Sequence, residues 1–210
     1  MKEIVLGVVL ALVIASCGEG DVAIITDPSI QAEKDSVAIA EYLEINGFLE
    51  NQIGTATNGV RYVILDSGSV NAADRIDESD QVNFNYIGKT LGDTIFDTSI
   101  EVIGDSLQAY YEENPFVIDN DTISVFTGLN YEPLFITYSS SAWTIPTGDG
   151  GFVAGFANGI AGTFKHLGIG GKAIILIPSG QAYGERGIGV FIGSNAPILF
   201  ELQPVSVTKQ

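Results

Sequence analysis

The sequence predicts an α+β domain in which an antiparallel β-sheet packs over one short α-helix. Most patterned segments either alternate between apolar and polar residues or form short apolar runs, as β-strands do. The 25 glycines and the good supply of aromatic residues favour strands and turns over a helical bundle. One short helical pattern, at residues 156–167, lies between two strand segments. A chain of 210 residues has room for one such domain after a signal and a tether.

The first predicted element is an amphipathic helix over residues 28–46. Asp27 and Pro28 suit the N-cap and the first helical position, and Asn46-Gly47 suits the end of a helix. Apolar residues recur at helical spacing at Val37, Ile39, Ala40, Tyr42 and Leu43. The helix is expected to lie on its own domain or to pair with a second copy of itself.

The strands of the predicted sheet follow this helix. Residues 60–65 end at a turn, and residues 82–88 alternate like a strand with one buried face. A turn then leads into residues 94–97. Lys172–Ile177 is apolar enough to be buried on both faces, and residues 198–207 close the sheet.

The segment 100–141 has a less regular pattern. Residues 123–127 and 134–138 are candidates for extra strands. Its aromatic content suggests a surface that captures unfolded or partner polypeptide, and the alternative is that extra strands simply widen the sheet.

The N-terminus has the features of a bacterial export signal. Lys2 precedes an apolar run, residues 4–14, which is too short to span a bilayer but suits a signal-peptide core. Residues 12–17 read Leu-Val-Ile-Ala-Ser-Cys, which resembles a lipobox and makes Cys17 the expected lipid acceptor. As the only cysteine, Cys17 has no partner for an internal disulfide. An ordinary secretory peptide with an incidental cysteine is the alternative.

These features divide the chain into four parts. They are a signal peptide (1–16), a lipidated tether (17–27), an N-terminal helical segment (28–57) and a folded domain (58–208) with an insertion at 100–141. The mature protein is then expected in the cell envelope, anchored to a bacterial membrane by its lipid and facing the periplasm or the cell surface.

Charge and residue supply exclude several functions. The net charge is −17 with only nine Lys and Arg, so a nucleic-acid partner is not expected. The only histidine, His166, and the absence of cysteine from the folded domain leave transition-metal sites poorly supplied. Residues 168–172 resemble a phosphate loop superficially, but Ala173 replaces the required hydroxyl residue. Neither a metal nor a cofactor is expected.

Residues 148–207 place aromatic and aliphatic side chains beside turn glycines with few ionisable groups, a pattern typical of a dry pocket for an uncharged ligand. They contain Val-Ala-Gly-Phe at 153–156, Ala-Tyr-Gly at 182–184 and Ala-Pro-Ile-Leu-Phe-Glu at 196–201.

Together with Tyr86 and Phe96-Asp97, these motifs resemble the FKBP-type peptidyl-prolyl cis-trans isomerases. The resemblance covers residues 58–99 and 142–208. It implies an FKBP-like fold, with a twisted antiparallel sheet half-wrapped around one short helix, to which this chain adds an N-terminal helix and an insertion.

The resemblance also implies an aromatic pocket that receives a prolyl ring. Phe156 would be its floor, where many members have tryptophan. Its walls would be Tyr86, Phe96, Trp143, Phe152 and Phe200. Taken singly, aromatic residues such as Trp143, Phe152, Phe156 and Phe200 more often pack in an ordinary core. Taken together at this spacing, they favour the pocket.

The same resemblance assigns catalysis to Asp97 and Tyr183. Asp97 would be the polar group at the pocket rim, and Tyr183 would donate its hydroxyl proton to a substrate carbonyl. The backbone N–H of Val153 would bind the next carbonyl. Phe191 and Ile192 would lie on a flap loop over the bound peptide.

The implied activity is rotation of X-Pro bonds in exported polypeptides, which assists their folding and needs no cofactor. Proline-containing unfolded polypeptides are the expected partners, and FK506-like macrolides are further ligands that the family suggests. Phe152, Ile188 and Gly193 depart from residues common in the family. The alternative is therefore a catalytically weak binding or chaperone module that uses the insertion as its working surface.

Overall fold

The computed structural model describes residues 28–127, 131–141 and 152–210. The proposed signal and tether, including Cys17, and the expected pocket residue Trp143 lie outside these ranges. Among the described helices, none is long and apolar enough to cross a membrane.

The described residues form three α-helices and nine β-strands. The helices are α1 (Pro28–Ile45), α2 (Glu101–Glu113) and α3 (Ala154–Thr163). The strands are β1 (Ile53–Thr55), β2 (Arg61–Asp66), β3 (Gln81–Thr90), β4 (Ile95–Thr98), β5 (Phe116–Ile118), β6 (Asp121–Ile123), β7 (Leu134–Thr137), β8 (Lys172–Ile177) and β9 (Ile198–Thr208).

Seven strands form one antiparallel sheet in the order β1-β2-β8-β9-β3-β4, and β7 also pairs with β3. The long strand β3 pairs with β9 along its whole length. Its other edge pairs first with β7 and then with β4. The predicted α+β class with an antiparallel sheet is confirmed. The strand β1, at residues 53–55, belongs to this sheet and precedes residue 58, at which the folded domain is expected to begin.

Helix α3 packs closely on β8 because two glycines face the strand. A Cβ at Gly155 would lie 2.1 Å from the Ile177 side chain, and one at Gly159 would lie 2.7 Å from Ile175. The helix is followed by a 3₁₀ turn, Phe164–His166, which together with α3 accounts for the predicted helix at 156–167.

Helix α1 packs on its own domain, which is one of the two arrangements expected from the sequence. Its buried residues are Asp35, Ile39 and Leu43, one per turn. Ile39 and Leu43 share a second apolar cluster with β2, β8 and β9. The apolar pattern included Val37 in the buried face of the helix, which is wrong because Val37 is 51% exposed. With α1 and α3 both packed against it, β8 is buried from Ala173 to Ile177, as its sequence predicts.

The insertion folds differently from expectation. Residues 134–137 form β7 and extend the sheet, as predicted. The strand expected at 123–127 is wrong, because β6 ends at Ile123 and pairs only with β5 in a separate hairpin. Helix α2 was not anticipated. Its N-cap position, Ile100, makes no side-chain cap hydrogen bond, and Gly104 weakens the helical pattern. Gly104 is nevertheless required, because a Cβ there would lie 2.1 Å from the ring of Tyr131.

Candidate active site

Four aromatic side chains from separate elements meet beside α3. They are Tyr86 on β3, Phe96 on β4, Phe156 on α3 and Phe200 on β9. The ring of Phe200 makes edge-to-face contacts with Phe156 at 4.8 Å and with Phe96 at 5.6 Å between centroids. Tyr86 lies 6.0 Å from Phe200 and 6.3 Å from Phe156. These distances are normal for interacting rings, so the four form one packed group, the aromatic site.

A glycine in β3 allows two of these rings to approach the sheet. Gly88 lies opposite Phe200 and Asp97 in the two neighbouring strands. A Cβ on Gly88 would be 2.7 Å from the Phe96 ring and 2.8 Å from the Phe200 ring. Sequence reasoning missed this residue. The available signal was a glycine in an otherwise regular strand, which marks close approach of another group.

The carboxylate of Asp97 lies against the aromatic site. It accepts a hydrogen bond of 3.0 Å from the hydroxyl of Tyr86. Burial raises the pKa of Asp97, although hydrogen bonds from Tyr86 and from the backbone of Thr98 oppose that effect. Burial, together with the charge of Asp97, also raises the pKa of Tyr86. Tyr86 therefore stays protonated at neutral pH and remains a donor to Asp97.

Tyr183 follows β8 in a loop that returns to the aromatic site. Its side chain packs against the main core. Burial first, and then the negative charge of Asp97, raise the pKa of Tyr183. Among the described residues, none forms a hydrogen bond with its hydroxyl. The raised pKa keeps the hydroxyl protonated at neutral pH, so it can act as a hydrogen-bond donor.

Phe156, the expected floor of the pocket, is fully enclosed by its neighbours. It is 0% exposed. The ring of Phe152 stacks on it, with centroids 4.5 Å apart and planes 22° apart. A prolyl ring can touch Phe156 only if a neighbouring side chain moves, and Phe152 is the described neighbour that covers its face. Trp143, the remaining expected wall residue, lies outside the described ranges.

A family model matches part of the chain. Residues 134–204 match the family model described as FKBP-type peptidyl-prolyl cis-trans isomerase. The matched segment thus resembles an FKBP-type isomerase domain. Its mixed helix and antiparallel sheet are consistent with the FKBP-like α+β fold. No curated protein sequence matches the chain significantly.

Solved structures of FKBP-type proteins align with the chain at low sequence identity. A peptidyl-prolyl cis-trans isomerase from Pseudomonas syringae pv. tomato has 16% identity and a TM-score of 0.49, covering 88% of this chain and 98% of that one. FkpA from Escherichia coli has 20% identity and a TM-score of 0.45, covering 86% and 64%. The N-terminal domain of FKBP42 from Arabidopsis thaliana has 14% identity and a TM-score of 0.45, covering 77% and 95%.

Within the matched segment, Val153 occupies the position before α3. It is the N-cap residue, with extended backbone angles, and its carbonyl accepts a hydrogen bond from the N–H of Phe156. The first backbone N–H groups of a helix lack intrahelical partners, so this end of α3 offers donors beside the aromatic site.

The flap residues are held by the insertion. Phe191 contacts the rings of Tyr111, Phe116 and Phe126 at centroid distances of 5.5, 5.3 and 5.6 Å. Ile192 is only 3% exposed. Sequence reasoning placed both residues on the flap but did not anticipate that the insertion would cover Phe191. We call the rings of Phe191, Tyr111, Phe116 and Phe126 the flap cluster.

His166 lies away from the aromatic site. It is exposed in the turn after α3, and its Nε2 is 3.4 Å from the hydroxyl of Tyr62. Burial, followed by the charges of Lys165 and Arg75, lowers its pKa. In the described part of the chain, no group of three or more metal-ligating side chains occurs.

Proposed function

We propose that this FKBP-type domain rotates X-Pro peptide bonds in exported polypeptides and so assists their folding. The observation that carries the proposal is the pairing of Asp97 with Tyr86 within the aromatic site, close to Tyr183. The site combines apolar walls with a buried acceptor and an available donor. Amide rotation breaks no covalent bond, so it needs no nucleophile.

Bond rotation can be accelerated by environment alone. The planar amide resists rotation with a barrier of about 18–20 kcal/mol, because resonance is lost when the bond twists. The twisted amide has a smaller dipole than the planar one, so its transfer from water into an apolar site costs less. A site walled by Phe96 and Phe200 therefore favours the transition state over the ground state, which is the condition for catalysis.

Hydrogen bonds would then fix the groups that flank the rotating bond. The Tyr183 hydroxyl donates to a substrate carbonyl, and the N–H of Val153 binds the next one. Asp97 holds the Tyr86 hydroxyl and places a negative charge at the edge of the site. Every 1.36 kcal/mol by which these contacts favour the twisted amide gives about a tenfold gain in rate.

Substrate entry requires Phe152 to move. In the structure its ring occupies the face of Phe156 on which a prolyl ring would stack. We infer that the side chain turns aside when peptide binds and that the prolyl ring takes its place against the floor. This exchange of one apolar contact for another lowers the cost of opening the site.

The cellular setting of the proposal rests on the N-terminal sequence. The lipobox-like residues 12–17 support export and attachment to a membrane through Cys17. The acidic chain would then be tethered at the surface where exported polypeptides emerge. Changing Cys17→Ser should abolish labelling by a radioactive fatty acid, and labelling that persists would contradict this part.

A proline-isomerisation assay on short X-Pro peptides tests the enzymatic function. We expect the wild type to exceed the uncatalysed rate and Tyr183→Phe to lose roughly tenfold in kcat/KM, the effect of about one hydrogen bond. Asp97→Val should lose more, since it also leaves the buried Tyr86 hydroxyl without its acceptor. A wild-type rate equal to background would instead support a binding module.

A further inference from the structure

The buried carboxylate of Asp35 has no role in the site described above. Asp35 lies in the middle of α1 and is 2% exposed. A buried charge is costly unless hydrogen bonds compensate it. Among the described residues, no cation lies within ion-pair distance of this carboxylate, and the nearest groups are polar and neutral.

Three donors satisfy the carboxylate. One oxygen, Oδ2, accepts hydrogen bonds from the backbone N–H of Ser179 at 2.8 Å and from its hydroxyl at 2.7 Å. The other oxygen, Oδ1, accepts one from the amide of Gln31 at 2.7 Å. Hydrogen bonds to an ionised acceptor are about twice as strong as those between neutral groups.

Ser179 begins the loop that carries Tyr183. It is itself 0% exposed and starts a 3₁₀ turn, Ser179–Gln181, directly after β8 and Pro178. The carbonyl of Ser179 accepts a hydrogen bond of 2.9 Å from the N–H of Ala182, the residue before Tyr183. Fixing Ser179 therefore fixes the direction in which the chain enters Tyr183.

Helix α1 also reaches the far end of the same loop. The amide of Gln31, which donates to Asp35, is 3.3 Å from the carbonyl of Asn195. The N–H of Asn195 in turn donates to the carbonyl of Gly184 at 2.8 Å. Two successive turns of α1 thus hold both ends of the loop, although α1 lies outside the matched segment 134–204.

We propose that Asp35 is a positioning residue for Tyr183. Its carboxylate binds the start of the loop to α1, and these hydrogen bonds keep the Tyr183 hydroxyl facing the aromatic site. Helix α1 is then part of the catalytic unit. This inference rests on the proposed isomerase function, but the position of the loop can be measured without activity.

The kinetic test is a double-mutant cycle in the full chain, with Asp35→Asn, Tyr183→Phe and their combination. We expect Asp35→Asn to lower kcat/KM by about tenfold, with most of the loss in kcat. In the Tyr183→Phe background the same change should cost less than about twofold, because contacts that act through one group are not additive. Equal losses in both backgrounds would overturn the proposal.

The matched control is Glu33→Gln on the exposed side of α1, which removes the same charge without touching the loop. It should leave kcat/KM and the melting temperature unchanged. If Asp35→Asn does not fold, Ser179→Ala serves instead, since it deletes one of the three hydrogen bonds and keeps the backbone bond. In Ser179→Ala we expect a smaller loss of kcat/KM than in Asp35→Asn, and only in the chain that retains Tyr183.

A spectroscopic arm separates this inference from the proposed function. The NMR signal of a ¹³C-labelled Tyr183 ring, assigned by its loss in Tyr183→Phe, should shift in Asp35→Asn and stay in place in Glu33→Gln. An unchanged signal in Asp35→Asn means that the carboxylate does not position Tyr183. If the wild type has no isomerase activity, the proposed function fails and this signal alone decides the positioning role.

Discussion

At the scale of single residues, Phe152 decides whether the aromatic site is open. A smaller side chain should expose the floor, so Phe152→Val is expected to raise kcat/KM on X-Pro peptides about threefold to tenfold. The physical reason is that the substrate no longer displaces a stacked ring pair worth about 0.5–1.5 kcal/mol. Phe135→Val is the matched control, because Phe135 lies on β7 and is 58% exposed. A loss of activity in Phe152→Val would show that the ring helps to bind the substrate.

The shifted pKa values predict the pH dependence of catalysis. The pKa of Tyr183 is raised, so its hydroxyl should remain a donor beyond the range in which an ordinary tyrosine ionises, near pH 10. We expect kcat/KM to stay level from about pH 7 to about pH 9.5. A decline in that alkaline interval, absent from Tyr183→Phe, would mean that Tyr183 ionises early.

The acid side of the same profile reports on Asp97. Because the pKa of this carboxyl is raised, it should take up a proton at a pH above the ordinary aspartate value of about 3.9. Activity should fall there as the carboxylate is lost, and Asp97→Asn should lack this step. The melting temperature, followed at each pH, separates loss of activity from unfolding.

At the scale of elements, the insertion supports the flap. Phe116 stacks on Tyr111 at 5.2 Å and meets Phe191 edge-on at 5.3 Å, so Phe116→Ala removes two aromatic contacts from the flap cluster. Each contact is worth about 0.5–1.5 kcal/mol, so their loss should raise the open population of the flap roughly tenfold. Trypsin cleavage after Arg186, at the exposed start of this loop, should accelerate accordingly, since native-state proteolysis follows the open population.

The neighbouring substitution Val117→Ala controls for damage to the hairpin, because Val117 is 62% exposed. It should leave cleavage after Arg186 unchanged. Equal acceleration in both variants would indicate general loosening of the insertion. The capture of polypeptide by the insertion stays a separate hypothesis, for which Tyr110 and Phe135, at 57% and 58% exposure, are the available aromatic surfaces.

Regular elements could be predicted from local pattern, and contacts between distant elements could not. Lys172–Ile177 and the helix from Pro28 were predictable because apolar runs and turn residues mark them directly. Helix α2 was not predicted because Gly104 lowers the helix propensity of the segment. Glycine is required there because the ring of Tyr131, far along the chain, occupies the space of a Cβ.

At the scale of the whole molecule, α1 and β9 bring the first and last described elements of the chain together on the sheet. Helix α1 covers one sheet face with Ile39 and Leu43 and reaches the Tyr183 loop through Asp35. Ile39 and Leu43 were among the apolar helix positions predicted from the sequence, although Val37 of the same pattern is exposed. The buried Asp35 was not predicted, since an aspartate in a helix normally indicates a solvated face, and only the meeting of α1 with Ser179 explains it.

The C-terminus is held by an ion pair that should make stability depend on pH. Lys209 bridges Asp80 at 2.9 Å and Asp77 at 2.7 Å, and the Asp80 side chain is 3% exposed. Burial alone would raise the pKa of Asp80, but hydrogen bonds from Lys209 and from the backbone of Asp77 and Gln210 lower it overall. A lowered carboxyl pKa contributes stability above the unfolded value of about 3.9, and this contribution disappears as pH falls through the folded value.

Asp80→Asn is therefore expected to lower the free energy of unfolding by about 1–3 kcal/mol at neutral pH, the cost of breaking hydrogen bonds to a buried charge. The difference from wild type should shrink as the pH falls below about 3.9 and vanish once the pH lies below the lowered pKa of folded Asp80, where both chains carry a neutral group at this position. Asp77→Asn is the matched control. Its side chain is 75% exposed and shares the same lysine, so its effect should be small. Urea denaturation at a series of pH values from 7 downward measures both variants, and a deficit of Asp80→Asn that does not change with pH would assign the effect to packing rather than charge.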